Sequence, residues 1–92
     1  MTTIVQLSKQ AKKDLAEMPN HIQQKLRGWV ELVEEEGPEE ARKVKGFHDE
    51  PLKGKRWGQR SIRLNRAYRA IYVVIKEKIE FVSVEEVSKH EY

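Results

Sequence analysis

The sequence predicts an α+β domain in the order β-α-α-β-β-β, an antiparallel sheet with a helical hairpin packed on one face. Two observations carry that prediction. Apolar residues recur at three- and four-residue spacing between Leu7 and Val33, and at two-residue spacing beyond Ile62. Ninety-two residues, 38% of them hydrophobic, suffice for about one layer of helix on one sheet. Residues 1–92 are therefore expected to form one domain.

The elements follow in order. Ile4 to Leu7 reads as a short strand, and Ser8 suits a helix N-cap because its hydroxyl can accept from a free N–H of the first turn. Leu7, Ala11, Leu15 and Met18 recur at helical spacing until Pro19 and Asn20 break the helix and start a second. Ile22, Leu26, Trp29, Val30 and Val33 form the apolar stripe of that second helix, and Gly37-Pro38 stops it. Trp29 is expected in the core. Glu39 to Val44 suits a helical turn, while Gly46, Pro51 and Gly54 keep the surrounding residues in loop. The period then becomes two. Ser61 to Leu64 is expected as a strand with Ile62 and Leu64 on one face and Arg63 on the other. Arg69 to Ile75 is a nearly continuous apolar run, which predicts a central strand covered on both faces. Residues 76–78 form a tight turn, Ile79 to Val87 is the last strand, and residues 89–92 are a polar tail.

Charge is unevenly spread. The formal net charge is +3, yet Arg42 to Lys76 holds eleven Lys and Arg against Asp49 and Glu50, which leaves +9 in that stretch. Residues 31–40 carry six glutamates and no base. A polyanion would bind the basic block, and a solvated strand face is the simpler alternative. There is no cysteine, hence no disulfide framework and no thiolate nucleophile, which fits a reducing cytosol. No apolar run approaches the ~20 residues of a membrane span, and Met1 opens into IVQL without a signal-peptide n-region. A cytoplasmic protein with no membrane partner is expected.

Several chemistries lack their residues. His21, His48 and His90 are far apart and no Cys accompanies them, so no metal is expected. No phosphate-binding glycine motif and no serine elbow is present, so no nucleotide or other cofactor is expected. What remains is Glu50, a cluster of arginines and a terminal His90/Tyr92 pair. That set suits metal-free RNA cleavage. A base takes the 2′-hydroxyl proton, cations hold the extra charge of the phosphorane, and an acid protonates the leaving 5′-oxygen. Arginine suits the clamp because its planar fork matches phosphate oxygens and stays charged. In an antiparallel meander, the strand opening at Arg69 begins beside the ends of the strands before and after it, so Arg69 and the tail can meet. Arg69 shares parity with Ile71, Val73 and Ile75, so only a place at the strand end lets it reach solvent.

On these residues the chain resembles the RelE/ParE superfamily of type II toxin–antitoxin modules. It is most similar to the ribosome-dependent RNA-cleaving branch that contains RelE, YoeB, YafQ and HigB. The segments that carry the likeness are EPLKG at 50–54, G-x-x-S-x-R at 58–63 and YR-x-x-Y at 68–72. The resemblance implies a helical hairpin on one face of a small sheet and a cleft on the other that admits messenger RNA. It implies an endoribonuclease, with Glu50 as general base, Arg69 as phosphate clamp, Arg63 as a second cation, and His90 or Tyr92 as terminal acid or stacking group. Lys53, Lys55, Arg56, Arg60 and Arg66 would then hold RNA, with Trp57 as a base-stacking platform. Glu91 stands between His90 and Tyr92, where YoeB-like chains end in adjacent His-Tyr. Implied partners are the ribosome, messenger RNA and a cognate antitoxin covering the basic surface, with a HigA-like helix-turn-helix protein as the favoured form.

Each residue also has a simpler reading. Glu50 could cap a loop, Arg69 could pair with Glu85 or Glu86, Trp57 could be a hydrophobic anchor, and His48 could be loop decoration. A ParE-like toxin that binds DNA gyrase and needs no acid–base residues is the rival on the same fold. A non-catalytic RNA-binding module is a third reading.

Overall fold

The computed structural model describes residues 3–77 and 79–89. Strand β1 (Thr3–Leu7) leads into α1 (Lys9–Ala16) and the long α2 (Asn20–Glu36), followed by a single turn, α3 (Pro38–Ala41). Strands β2 (Glu50–Pro51), β3 (Arg60–Arg63), β4 (Tyr68–Lys76) and β5 (Glu80–Lys89) complete a sheet of order β1-β5-β4-β3-β2.

The helices form where the sequence places them. The Ser8 Oγ accepts from the Ala11 N–H at 3.0 Å, which caps α1. Gly37, at φ 87°, ends α2 in a backbone conformation that glycine takes without a Cβ penalty. The stripe Ile22, Leu26, Trp29 and Val33 is buried and packs with Ala11 onto Ile62, Leu64, Ala70, Tyr72, Val82, Val84 and Val87. The hairpin therefore covers one face of the sheet.

Three features differ from the sequence-based expectation. β1 pairs with β5 in parallel, so the sheet is mixed rather than wholly antiparallel. A parallel neighbour needs a long crossover, and everything between Leu7 and Glu80 supplies it. Second, Glu50 and Pro51 form a short edge strand against β3 in a span expected as loop. Third, β4 is central, but its second face is covered only in part, with Ile71 there 3% exposed. Ala70 and Tyr72 face the helices, whereas Ile75 on the other face is 42% exposed.

A bulge in β5 is the detail that positions the site. Ile71 lies opposite Glu86 and Tyr72 opposite Val84, which leaves Glu85 as the extra residue. The bulge returns Val87 to the core and keeps Glu86 and Ser88 on the open face. α1 locks it: Ser8 Oγ donates to the Glu85 carbonyl at 2.6 Å, and Asp14 Oδ2 accepts from the Val87 N–H at 3.1 Å.

Candidate functional site

Register decides which side chains share the open face. Glu50, Ser61, Ile71 and Glu86 are successive cross-strand partners in one row, and Arg63, Arg69 and Ser88 form the next. Such rows stand about 7 Å apart along the strands. Glu50, Arg63 and Arg69 thus meet on the face away from the helices, where they line one depression with His48, Ser61 and Arg66.

The β3–β4 turn sets the arginine end of the depression. Asn65 Oδ1 accepts from the N–H groups of Ala67 and Tyr68 at 2.7 and 2.9 Å, an Asx arrangement that reverses the chain in a few residues. The Leu64 N–H donates to the Tyr68 carbonyl at 2.8 Å and closes the hairpin. Arg63 and Arg69 become direct cross-strand neighbours, with Arg66 at the tip. Like charges opposite each other are unfavourable, and an anion bound between them relieves that repulsion. Among the described residues none of these three arginines forms an ion pair. Arg69 sits at the second residue of β4, half-buried, at the strand end its parity required.

The Glu50 end is fixed from the opposite face. Asp49 precedes Glu50 and points the other way, with a side chain only 1% exposed. Its Oδ1 accepts from Arg60 Nε at 2.7 Å and its Oδ2 accepts from the Tyr72 hydroxyl. The Tyr72 ring packs against Trp29 with centroids 4.9 Å apart. Burial first, and then the Asp49 carboxylate, push the Tyr72 phenol up to about 12. Burial works against the Arg60 cation, but Asp49 outweighs it and raises its pKa above the ordinary guanidinium value.

This chain of contacts ties Glu50 to the core, and it predicts an alkaline signature. A phenol whose pKa is raised by folding stabilises the native state below its unfolded value of about 10. That contribution is lost as pH rises through 10 towards 12. The difference in unfolding free energy between wild type and Tyr72→Phe should therefore shrink over that window. A constant difference from pH 8 to 12 would show that Tyr72 titrates normally.

The other expected site residues are placed as follows. Arg60 belongs to the helix-side face and is engaged by Asp49, so it is not a free cation of the basic surface. It faces inward because it pairs with Tyr72, a core residue. Lys53, Lys55, Arg56 and Trp57 lie on the exposed β2–β3 loop, and Trp57 is 85% exposed. Arg56 pairs with Glu86 at 2.8 Å, an exposed contact that contributes about 0 to 1 kcal/mol. Glu86 is thereby engaged by Arg56 rather than Arg69. His90 and Tyr92 lie outside the described residues. β5 is described to Lys89, opposite Tyr68, and its Ser88 lies opposite Arg69.

Sequence reasoning missed the role of Asp49, whose partners lie 11 and 23 residues away. His48, which the sequence left as loop decoration, lines the depression and holds φ 45°, the sole non-glycine positive φ among the described residues. Such a conformation costs roughly 1 to 3 kcal/mol and tends to persist at functional sites. No three His, Asp or Glu side chains form a metal-binding group among the described residues. Nor is any described helix long and apolar enough to cross a membrane.

This is the fold of the small RelE-like toxins. The chain is similar to the YoeB/ParE toxin from Agrobacterium tumefaciens at 16% identity and a TM-score of 0.72, covering 96% of this chain and 99% of that one. It is also similar to a chain of the E. coli DinJ–YafQ toxin–antitoxin complex, at 18% identity and a TM-score of 0.76, with 98% and 94% covered. The archaeal RelE–RelB complex from Pyrococcus horikoshii OT3 gives 23% identity and a TM-score of 0.73, with 97% and 96% covered. No protein-family model matches the sequence, and no curated protein does. The expected likeness to the RelE/ParE superfamily is met at the level of fold.

Proposed function

We propose that the protein is the toxin of a type II toxin–antitoxin pair, an endoribonuclease that cuts messenger RNA on the ribosome. The observation that carries this reading is the adjacency of one carboxylate and three arginines on the open sheet face. The rows place Glu50 beside the arginine pair at a spacing that a phosphodiester and its ribose can bridge. Glu50 accepts the 2′-hydroxyl proton, and the freed oxygen attacks the adjacent phosphorus. Arg69 and Arg63 hold the added charge on the phosphorane. The bond to the 5′-oxygen breaks, leaving a 2′,3′-cyclic phosphate upstream and a 5′-hydroxyl downstream once that oxygen takes a proton. No step calls for a metal or cofactor. His90 and Tyr92 keep the role the resemblance implies for them, as acid or as a group that stacks on a base.

Docking rests on cations outside the chemistry. Lys53, Lys55 and Arg56 sit on the exposed loop beside Trp57, and Arg66 crowns the β3–β4 turn. Lys and Arg on phosphates release counterions, and Trp57 offers a stacking face. An antitoxin with an acidic segment would cover the same surface by charge complementarity. Two of the similar structures are toxin–antitoxin complexes, which supports such a partner.

Ribosome affinity should fall with a log–log salt slope of magnitude about four or more, at roughly 0.7 to 0.9 per phosphate contact. Lys53→Ala with Lys55→Ala should lower that slope by about 1 to 2 without unfolding the chain. Filter binding across a salt series measures both, and an unchanged slope in the double variant would remove the loop from the docking surface.

A further inference from the structure

We propose that His48 is the general acid of this cleft, its imidazolium protonating the leaving 5′-oxygen while Glu50 takes the 2′-hydroxyl proton. The inference rests on the ribonuclease reading above and adds the proton donor among the described residues.

Three observations carry it. His48 lines the same depression as Glu50, Arg63, Arg66 and Arg69, and its side chain is exposed there. Its backbone is held left-handed, φ 45° and ψ 50°, with its N–H donating to the Lys45 carbonyl at 3.1 Å. Both neighbours are pinned. Phe47 is buried with Lys25 Nζ 4.8 Å from its ring centroid, and Asp49 is held by Arg60 and Tyr72. A left-handed turn between two anchored residues fixes the direction in which the Cα–Cβ bond of His48 leaves the backbone. An unconstrained loop would relax to an ordinary conformation, since histidine, though more tolerant than most residues, is not at ease there.

The surroundings suit an acid partnered with a base. Glu50 lines the depression with His48 from β2, Arg63 from β3, Arg66 from the turn and Arg69 and Tyr68 from β4. One cycle is balanced. The 2′-hydroxyl proton passes to Glu50, the O2′–P bond forms, the P–O5′ bond breaks and the His48 proton passes to O5′. Imidazole and carboxylate then differ by one proton each and reset through water. The terminal His90 and Tyr92 are left to stack on the flanking base.

The test uses the full-length protein on programmed ribosomes, with synthetic messenger RNA carrying either the natural oxygen or a bridging sulfur at the scissile 5′ position. A thiolate leaves without a proton, so a variant lacking only the acid regains its rate on sulfur. His48→Asn is the principal variant because asparagine accepts the left-handed conformation, and His48→Gly, which relieves it altogether, is the second. The glycine variant should melt at or above the wild-type temperature, and the asparagine variant near it. On ordinary RNA each should lose on the order of 10²- to 10⁴-fold in single-turnover rate, and on sulfur each should come within a few-fold of wild type. Glu50→Gln should stay slow on both. Equal losses on the two substrates, or no loss on either, overturn the assignment. So does sulfur rescue of a chain ending at Ser88 with none of the His48 variants rescued, which gives the acid to the tail. A wild-type protein that cuts neither substrate overturns the ribonuclease reading and this inference with it.

Discussion

Arg69→Ala is expected to lose cleavage by on the order of a hundredfold or more while ribosome affinity stays close to wild type. The first half follows from the proposed role of the guanidinium, which is exercised only in the transition state. A donor aimed at developing phosphorane charge contributes about that factor when it is preorganised and partly shielded from water. Arg69 meets those conditions, being half-buried at the start of β4 and held opposite Arg63 and Ser88 by the sheet itself. The second half follows because the proposed docking surface is Lys53, Lys55, Arg56 and Arg66. Arg69→Lys should recover little, since an ammonium lacks the planar fork. Single-turnover rates beside filter binding separate the two effects. A well-folded Arg69→Ala protein that cuts at the wild-type rate would make Arg69 a structural residue.

Asp49→Ala is expected to cost roughly 3 to 5 kcal/mol of folding stability, the range for breaking a buried ion pair from one side. Asp49 is nearly inaccessible and answers two donors, so its removal takes from Arg60 and the Tyr72 hydroxyl the carboxylate they share. Domains of this size are stable by only about 5 to 15 kcal/mol, so the variant should stand close to its unfolding threshold at ambient temperature. Asp49→Asn should lose less, because the amide keeps an acceptor oxygen for one of the two partners. Urea midpoints at constant m-value measure this. A loss below about 1 kcal/mol for Asp49→Ala would mean that the β2 edge is held by something other than this cluster.

The two variants probe opposite faces of the same small sheet, and they meet at its edge strand. Glu50 and Asp49 are adjacent, and strand alternation sends one to the open face and the other to the core. Glu50 is thus positioned by a buried network on the far side of the sheet. It runs from Trp29 on α2 through Tyr72 and Asp49 to the backbone that carries Glu50.

Much of this was legible in the residues. The helices announced themselves through Ile22, Leu26, Trp29 and Val33, because apolar residues three and four apart fall on one face of a helix and on both faces of a strand. β3 and β4 followed from the change to period two, and the strand-end position of Arg69 followed from its parity with Ile71 and Val73. β2 was hidden because two residues carry no period, and Pro51 with Gly54 argued for loop. The parallel pairing of β1 was hidden because pairing partners 77 residues apart leave no local trace. The bulge had a faint signal, since Val82 and Val84 are followed by Val87 rather than by an apolar residue at 86.

The site divides the same way. Glu50 and Arg69 were singled out by their chemistry and Arg63 by the resemblance, and register sets the three on one face. Arg60 was grouped with the free cations because charge along a sequence does not say which face a strand residue takes, and its partner Tyr72 decides that. Asp49 read as one more acid in a basic block. Only folding puts it between Arg60 and Tyr72.

The most direct test is the chemistry of the cut ends. Programmed ribosomes are incubated with the wild-type protein, the messenger is mapped by primer extension, and the upstream fragments are analysed for their 3′ termini. Discrete cuts within the ribosomal site, ending in 2′,3′-cyclic phosphate and absent with Glu50→Gln, are the predicted result. Intact messenger together with inhibition of DNA gyrase by the same preparation would contradict it.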